Sequence, residues 1–389
     1  MTKTRKVLAV DIGTGTQDIY LYDSRQDLEN GFKLILPSPT MIIFRRLQQA
    51  TARRQPILLT GRLMGGGPSS WGAEAHLKAG LPLFATPAAA LSFNDDLSIV
   101  QEMGVKILAE EEVARLPADI CTIELGDFNF PAIQRAFMEF GIRLDTLDAI
   151  AVAVFDHGAA PLDVSDRQFR FDYLDQRIRQ ANCLSAFAYP STAIPPILTR
   201  LQAVADSAPA LPCPLIVMDT APAAVLGATF DPWVQNLPRK LIANIGNFHT
   251  LAFRLGPQGI EGVFEHHTGL LDQQKLESLL ISLANGNLTH ADVFNHHGHG
   301  ALIYSSTPLP LDGSPTNLVV TGPRRGMLSS SPLRPYFSAP FGDMMITGCF
   351  GLLAAAADLL PELQPEISSS LAGKGGSGTP PWELFEPVT

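Results

Sequence analysis

Cysteine is scarce in this sequence and is not clustered, since Cys121, Cys183, Cys213 and Cys349 lie far apart along the chain. This spacing excludes a radical enzyme that holds an iron–sulfur cluster through closely spaced thiolates, commonly CxxxCxxC. A framework of disulfides is not expected either, because the cysteines lie in or beside apolar stretches. We expect a reduced, cytoplasmic protein.

Positive charge and long apolar runs are also lacking. The chain has 28 Lys and Arg against 38 Asp and Glu, a formal net charge of −10, and it lacks the clustered cations that neutralise a nucleic-acid backbone. No apolar run reaches the roughly 18 residues that cross a bilayer, and the first run is too short for a signal peptide. We therefore expect neither nucleic acid nor membrane as a partner, and any anionic ligand should be small.

The chain is too long for one ordinary core, because single cores stop growing at about 250 to 300 residues. With 389 residues, 46% of them hydrophobic, it suits two domains. The element patterns predict a first lobe over residues 1–215, with an α/β insertion at about 40–118, and a second lobe over 216–365. The remaining stretch, 366–389, contains GKGGSGTPP and is predicted to be a disordered tail.

The stretch DIGTGTQD, residues 11–18, joins two apolar strands by a turn that is longer than a hairpin needs. Two residues suffice for a tight hairpin, so Gly13, Thr14, Gly15 and Thr16 need another explanation. Successive N–H groups of a widened turn can face one concavity that suits a phosphate. Glycine permits both positive φ and close approach, and the threonines add hydroxyl donors. The alternative is a flexible surface turn.

A second hairpin of the same kind lies far along the chain. Residues 240–255 contain the apolar strand LIAN, the polar turn IGNFHT and the apolar strand LAFRL. This recurrence predicts a duplicated architecture. Residues 56–86 read as strand, glycine-rich turn, helix and strand, and this βαβ order favours a parallel sheet.

The order of these pieces resembles the superfamily that contains actin, hexokinase and the Hsp70 chaperones. DIGTGTQD resembles its first phosphate loop, NIGNFHT (244–250) its second, and DTAPAAVLGA (219–228) the helix that links its two lobes. VVTGPRRGM (319–327) resembles its adenosine loop, and residues 342–357 resemble its second linking helix. The chain is also similar throughout to a prokaryotic family labelled as a pyruvate formate-lyase activating enzyme.

The resemblance implies an α/β, two-lobed actin-like ATPase fold, which is ribonuclease H-like, with ATP and Mg²⁺ in the cleft between the lobes. In the family role, Asp11 would hold Mg²⁺ through water. The residues that would contact the nucleotide are Gly13, Thr14, Gly15, Thr16, Asn244, Gly246, Asn247, His249, Thr250, Gly322 and Arg324.

Two further acids follow apolar strands. AIAVAVFDHG ends a strand with Asp156 and His157 and resembles the catalytic-lobe strand of carbohydrate kinases. Strand ends of open α/β sheets face the ligand crevice, so Asp156 is a candidate catalytic base toward a hydroxyl or water. Capping of a helix or turn is the alternative for Asp156. Asp219, which ends LIVMD, is a second candidate for contact with the metal or its waters.

Three features depart from the family pattern. Asn244 stands where most relatives carry Asp, Phe248 stands where Gly is frequent, and the adenosine loop reads TGP rather than GG. A bulky side chain disfavours the positive φ of a phosphate-binding turn. Either the second loop binds phosphate differently, through Asn247, His249 and Thr250, or it serves another ligand.

A separate glycine-rich loop, TGRLMGGGPSS, lies between a strand and a helix. It matches neither GxxxxGK[ST] nor GxGxxG, but it can in principle hold an anion at the helix N-terminus. We expect a small-molecule substrate near Gly65, Gly66 and Gly67, with Arg62 as the nearest cation.

Histidine is concentrated in one part of the chain. Six of the nine histidines fall within 34 residues, namely His266, His267, His290, His296, His297 and His299. A transition metal could use them, but neither HH nor HHGH has a firm ligand spacing and no cysteine is adjacent. We expect polar loop residues near the cleft, with His299 close to the substrate.

The leading hypothesis is a nucleotide-binding protein that closes two lobes on Mg-ATP and either hydrolyses it or passes the γ-phosphoryl group to a small molecule. Catalysis of this kind is mostly positioning and charge neutralisation. Two alternatives remain open. One is a non-catalytic module that senses nucleotide or activates a partner, and the other is a metal-dependent enzyme that uses the histidine cluster.

Overall fold

The computed structural model describes residues 3–208, 211, 213–311, 316–376 and 380–383 of a mixed α/β protein. The strands are β1 Lys6–Ile12, β2 Thr16–Asp23, β3 Phe32–Pro37, β4 Ile57–Gly61, β5 Leu83–Ala85, β6 Lys106–Ile107, β7 Cys121–Leu125, β8 Ala149–Val154, β9 Ala188–Pro190, β10 Leu215–Asp219, β11 Lys240–Ile245, β12 His249–Gly256, β13 Gly259–His267, β14 Gly300–Ile303, β15 Leu318–Thr321 and β16 Tyr336–Phe337. The α-helices are α1 Pro39–Ala52, α2 Pro68–Lys78, α3 Pro87–Ala90, α4 Leu97–Glu102, α5 Glu110–Val113, α6 Phe130–Met138, α7 Asp166–Gln180, α8 Thr199–Ser207, α9 Thr220–Ala228, α10 Pro232–Gln235, α11 Gln273–Asn285, α12 His290–Phe294, α13 Thr347–Leu359 and α14 Gln364–Leu371. Short 3-10 helices cover Leu28–Asn30, Leu184–Phe187, Thr268–Leu270, Arg325–Leu328, Pro340–Gly342 and Pro381–Glu383.

The first lobe is built on a six-stranded sheet with the order β3-β2-β1-β8-β10-β9. Strands β1, β2 and β3 form an antiparallel meander, whereas β8 is parallel to β1 and β10 is parallel to β8. Every residue of β8, AIAVAV, is buried, so both faces of this strand are covered. A continuous apolar run is typical of a parallel strand in that position.

The second lobe repeats this arrangement. Its sheet has the order β14-β13-β12-β11-β15-β16, in which β11, β12 and β13 form the antiparallel meander and β15 is parallel to β11. In both lobes the first strand of the meander therefore lies in the middle of the sheet, beside the first parallel strand. The duplicated, two-lobed actin-like architecture that the resemblance implied is confirmed.

An α/β insertion extends the first lobe, as the sequence predicts. Between β3 and α6 the chain builds a separate parallel sheet, β6-β5-β4-β7, which packs with α1 and α2 around its own apolar core. The Ser38 hydroxyl caps the N-terminus of α1 by accepting from Met41 N–H at 3.4 Å. The same hydroxyl donates to the carbonyl of Thr14 at 2.6 Å, so the insertion is tied to the turn between β1 and β2.

Two helices link the lobes and cross at glycines. Helix α9 follows β10 and α13 lies against it. A Cβ at Gly227 of α9 would overlap the carbonyl oxygen of Thr347, and a Cβ at Gly351 of α13 would overlap that of Ala223. The helix backbones therefore approach more closely than any side chain would allow, and both crossing positions require glycine.

The C-terminal part differs from its prediction. The sequence predicts disorder from residue 366, but Gln364–Leu371 forms helix α14, with Ile367 and Leu371 buried. Tyr22 and Ser370 share a hydrogen bond of 3.0 Å between their hydroxyls. Apolar contacts with the first lobe hold this segment, and such contacts are not visible in the local composition. The rest of the predicted tail falls partly on residues 377–379 and 384–389, which lie outside the described residues.

Among the residues that the structure describes, no helix combines the length and the apolar character needed to span a membrane.

Candidate functional site

The turns of the two hairpins face one cavity between the lobes. This cavity has a volume of about 120 Å³, and both Gly15 and Gly246 line it. The turns are structurally equivalent, because Gly13 N–H donates to Thr16 C=O at 2.9 Å and Gly246 N–H donates to His249 C=O at 3.0 Å. Two segments that are far apart in the sequence thus form opposite walls of a single cleft.

Each turn is held by a residue that follows the meander strands. In the first turn, Ser38 N–H donates to Gly15 C=O at 3.1 Å and its hydroxyl donates to Thr14 C=O at 2.6 Å. In the second, Thr268 N–H donates to Phe248 C=O at 2.8 Å. These bonds fix the carbonyls of the turns and so fix the direction of the amides.

The amides of the turns are free to bind a ligand. Within the described part of the chain, the N–H groups of Thr14, Gly15, Asn247 and Phe248 donate to no acceptor. Two consecutive free N–H groups on each side of a cleft form an arrangement that suits an anion.

Glycine serves these turns through close approach. A Cβ at Gly15 would lie 2.5 Å from Nδ2 of Asn247, so the two turns touch at this point. Gly13, Gly15 and Gly246 have no positive φ, whereas Gly322 in the adenosine-like loop has φ 93° and lines the cleft. Phe248 is likewise not at positive φ, so its bulk does not strain the second turn.

Two carboxylates line the first-lobe side of the cleft. Asp11 and Asp18 are direct cross-strand partners, and each is 8% exposed. Burial raises the pKa of Asp11 to about 7, partly offset by a hydrogen bond of 2.6 Å from the Thr220 hydroxyl. Burial and the neighbouring Asp11 raise the pKa of Asp18 to about 8. Asp18, which the sequence reasoning left out of the site, completes an acid pair.

The acid pair is fixed by its surroundings and has no counterpart in the second lobe. Glycine is required at Gly348 of α13, because a Cβ there would overlap Oδ2 of Asp11. At the equivalent positions of the second hairpin, Asn244 pairs with Leu251 across the strands. The carboxyl groups that line the cleft are therefore confined to one side.

Asp219, a predicted contact of the metal or its waters, is bound by protein groups in the structure. Its carboxylate accepts a hydrogen bond from the buried guanidinium of Arg170 and caps α9 by accepting from Ala221 N–H at 3.0 Å. Asp219 lies outside the lining of the cleft, and its charge is matched by an arginine from a stretch whose elements the sequence pattern left unresolved. In the structure, its carboxylate is thus engaged by protein groups.

For Asp156 the structure favours the capping alternative. Its two carboxylate oxygens accept from Gly158 N–H and Leu201 N–H, each at 2.8 Å. Burial raises the pKa of Asp156 to about 6, and these two hydrogen bonds partly offset it. Asp156 lies at the edge of a second cavity, but both of its oxygens are engaged in holding the chain.

Two other predicted nucleotide contacts lie elsewhere. The hydroxyl of Thr250 is buried and bonds the Thr268 hydroxyl at 2.9 Å. Arg324 is exposed and lies outside the cleft lining, which ends in this loop at Pro323. Strand alternation turns Thr250 away from the cleft, a direction that the loop sequence did not reveal.

The second cavity has a volume of about 310 Å³ and lies between the insertion and the lobes. Gly65, Gly66 and Gly67 line it. It shares part of its lining with the cleft, namely Gly13, Thr14, Phe155, Arg200, Phe248 and His249. The two spaces are therefore adjacent and meet at both turns.

The cation of this cavity is Arg200, not Arg62. Arg200 donates from Nε to Asp127 at 2.7 Å and from Nη1 to the carbonyl of Phe155 at 2.6 Å. Arg62 is half exposed and pairs with Asp206 at 3.6 Å. Arg200 is the second residue of α8, which follows a proline-broken segment where the sequence gave no periodic signal.

Three histidines lie together beside the second cavity, which two of them, His157 and His249, line. Ligand nitrogens of His157, His249 and His299 all lie within 4.8 Å of one another. Of the predicted histidine-rich segment, His299 belongs to this group and His267 lies beside it, with ring centroids 4.7 Å apart. The other four histidines of the segment lie outside the group: His266, His290, His296 and His297.

The comparisons with known proteins place the chain in a family. The family model described as "Putative pyruvate format-lyase activating enzyme (DUF1786)" matches residues 64–327. The chain belongs to this family. The four cysteines of the chain are free thiols that lie far apart in the sequence. No curated protein matches the chain.

A search of solved structures gave matches of low similarity. A ROK family transcriptional regulator, a homolog of the E. coli MLC protein, is 8% identical with a TM-score of 0.24, over 66% of this chain and 37% of that chain. An exopolyphosphatase-like protein is 10% identical with a TM-score of 0.20, over 73% and 60%. A "Putative N-acetylglucosamine Kinase from Chromobacterium violaceum" is 15% identical with a TM-score of 0.20, over 94% and 79%. The chain thus spans less than two thirds of the first two structures.

Proposed function

We propose that the protein binds ATP with Mg²⁺ in the cleft between its lobes and either hydrolyses it or transfers the γ-phosphoryl group to a small molecule in the second cavity. The observation that carries this proposal is the pair of equivalent turns, whose free N–H groups face one cavity. Amides on both sides of a cleft can bind successive phosphates of one chain.

The acid pair fits a divalent cation. Oxygen ligands are what Mg²⁺ prefers, usually with several waters retained. Asp11 and Asp18 supply carboxylate oxygens in the cleft, and the buried Oδ1 of Asp18 has no hydrogen-bond partner among the described residues. Bound there, Mg²⁺ would neutralise phosphate charge. Asp11 and Asp18 are the residues that would hold it, directly or through water.

The amides, the acid pair and the lobes have separate tasks in this proposal. The free N–H groups of the two turns orient the phosphates, and the linking helices let the lobes close and exclude water. The adenosine side would be bordered by Gly322, Pro323, Met344 and Met345, which line the same cleft.

The acceptor would lie in the second cavity, where its lining meets both turns. Arg200 faces this cavity and can hold an anionic group of the acceptor. Asp95 and Asp166 also line it, and their carboxylates make no hydrogen bond with the described residues. They replace Asp156 as candidate bases toward an acceptor hydroxyl.

Calorimetry with the full chain tests nucleotide binding. We expect one ATP to bind per chain in saturating Mg²⁺, and we expect chelation of Mg²⁺ to weaken binding. Asp18→Asn should lower the affinity for Mg-ATP at least tenfold, because it removes one of the two cleft carboxylates. Asp145→Asn, at an exposed carboxylate whose side chain is 44% accessible, is the matched control. Absence of binding by the wild-type protein would overturn the proposal.

A non-catalytic nucleotide sensor is the second candidate. It is favoured by the engagement of both oxygens of Asp156 in backbone hydrogen bonds and by the lack of an acid at Asn244. The sensor predicts Mg-ATP binding without phosphate release or phosphoryl transfer. Release of inorganic phosphate that is abolished by Asp11→Asn would instead establish the enzyme.

A further inference from the structure

We propose that His157, His249 and His299 bind a divalent transition-metal ion beside the second cavity. The three residues come from separate parts of the fold. His157 follows β8 in the first lobe, His249 begins β12, and His299 precedes β14 in the second lobe. Their ligand nitrogens nevertheless lie within 4.8 Å of one another.

The distances suit a single ion after a small adjustment. Three atoms no more than 4.8 Å apart lie at most about 2.8 Å from a common centre, against about 2.1 Å for a zinc–nitrogen bond. Each imidazole would therefore move inward by about 0.7 Å, which side-chain rotations of this size can supply. Imidazole is a ligand that suits zinc, iron, nickel and copper.

Unpartnered nitrogens point to a missing ligand. His299 is 1% exposed, and its Nδ1 has no hydrogen-bond partner among the described residues. The ring of His157 likewise makes no hydrogen bond within the described ranges and only packs against aromatic rings, including Phe155 and His299. Buried polar atoms are nearly always paired, so an unpaired imidazole nitrogen beside two others requires an explanation. A metal ion provides one.

Glu265 supplies the outer support that a metal-bound histidine usually has. Its Oε1 lies 2.8 Å from Nδ1 of His249, and it lies 3.4 Å from Nδ1 of His299 without a hydrogen bond. The contact with His249 makes Nδ1 of that ring the donor and leaves its Nε2 with a free lone pair. Such carboxylate–histidine pairs orient metal ligands. Glu265 is fully buried and is itself fixed by Nε of Arg170 at 3.2 Å.

The buried charges around the group also favour a cation. Arg170 contacts both Asp219 and Glu265, and all three side chains are 0% to 5% exposed. Two carboxylates thus share one guanidinium, which leaves a formal negative charge beside the histidines. Buried charges are stable when they are paired, and a dication would complete the pairing.

The site would remain open to a ligand. His157 and His249 line the second cavity, so a metal with three protein ligands would keep a position facing that space. Three protein ligands and an open position are typical of catalytic metal sites. The open position suits an oxygen donor such as water, a carboxylate, a carbonyl or a phosphoryl group. His249 also belongs to the second turn, so the metal would hold that turn against the first lobe.

Metal binding by the untagged, full-length chain tests this inference without nucleotide. After chelation and removal of metal, we expect calorimetry to give one Zn²⁺ per chain, and Co²⁺ to give the visible ligand-field absorption of a nitrogen-ligated ion. His299→Ala and His249→Ala should each weaken Zn²⁺ binding at least a hundredfold. His296→Ala and His297→Ala, at exposed histidines outside the group, are the controls and should leave it unchanged.

Glu265→Gln separates an ordered site from surface binding. Loss of the outer carboxylate should weaken Zn²⁺ binding about 10- to 100-fold, with the Co²⁺ absorption retained. Circular dichroism of each variant verifies folding, and the Co²⁺ spectrum of the wild-type protein stands even where a variant does not fold. The inference is overturned if wild-type protein binds less than one Zn²⁺ per chain, or binds it as weakly as the His299→Ala variant. Because no nucleotide is present, neither outcome bears on the proposed ATP site.

Discussion

Replacing Gly351 with alanine tests the close crossing of the two linking helices. A Cβ at Gly351 would overlap the carbonyl oxygen of Ala223 and lie 2.7 Å from its carbonyl carbon. Carbon atoms pack best at about 3.5–4.0 Å, so α9 and α13 would have to separate by roughly 1 Å. The clash involves backbone on one side and a helical Cβ on the other, and neither can rotate away.

The cost follows from this geometry. Overpacking of a well-filled core costs about 1–3 kcal/mol, and sometimes more, while alanine regains up to about 1 kcal/mol over glycine in helix propensity. Because the backbone itself has to move, we expect a net loss of about 3 kcal/mol in the free energy of unfolding. With about 2.1 cal/mol/K of unfolding entropy per residue and 389 residues, Tm should fall by about 4 °C.

Differential scanning calorimetry of the wild-type protein and the variants measures this fall. Gly269→Ala is the matched control, because a Cβ at Gly269 meets no heavy atom within 4 Å, and its Tm should stay within about 1 °C of the wild-type value. Gly227→Ala should act like Gly351→Ala. The Tm of the double variant should fall by less than the sum of the two single decreases, since one separation of the helices relieves both clashes. A Gly351→Ala protein as stable as the control would refute the reasoning.

Three further predictions concern the cleft, an ion pair and the C-terminal helix. Gly348→Ala should weaken Mg-ATP binding at least tenfold in calorimetry, because its Cβ would displace the carboxylate of Asp11. Unchanged affinity would show that Asp11 does not contribute to the binding site. Burial raises the pKa of Glu261, but hydrogen bonds from two arginines outweigh it and hold the pKa below its ordinary value. The stability that the Glu261 carboxylate contributes is therefore present above the ordinary pKa and is lost as pH falls through the folded pKa. Glu261→Gln should lower the free energy of unfolding by about 2 kcal/mol near neutral pH, and by less near about pH 3. A difference between variant and wild type that stays constant with pH in urea unfolding contradicts this. Ile367→Ala should lower Tm by about 4 °C, since Ile367 is fully buried and such a truncation costs about 2–5 kcal/mol, whereas a disordered tail would show no change.

The sequence was sufficient to predict those strands and turns whose patterns lie in adjacent residues. A widened turn between two apolar strands is written in adjacent residues, so Gly13 and Gly246 could be placed on equivalent hairpins. The apolar run of β8 and the glycine-rich loop before α2 were also visible locally. Because the pieces recur in order, the resemblance led to the two-lobed fold, which the repeated strand order confirms.

The same local signals could not assign partners. Asp219 was predicted to contact metal because it ends a strand, but Arg170, 49 positions earlier in the chain, matches its charge. Asp156 ends a strand in the same way, and the amide of Leu201 occupies one of its oxygens. An acid at a strand end is equally compatible with catalysis and with capping until the atoms around it are known.

By itself, the sequence determined the two hairpins, the insertion and a lack of clustered cysteine, because alternation, glycine placement and composition act over a few neighbouring residues. The linking helices came from the family resemblance. Only the tertiary structure decided which groups share a site. It brought Gly15 against Asn247, paired Asp11 with Asp18, moved the cavity cation to Arg200 and gathered His157 with His249 and His299. The physical reason is that burial and hydrogen bonding are set largely by segments that are distant in the sequence, such as Asp156 with Leu201 and Gly15 with Asn247, and no local pattern records those contacts.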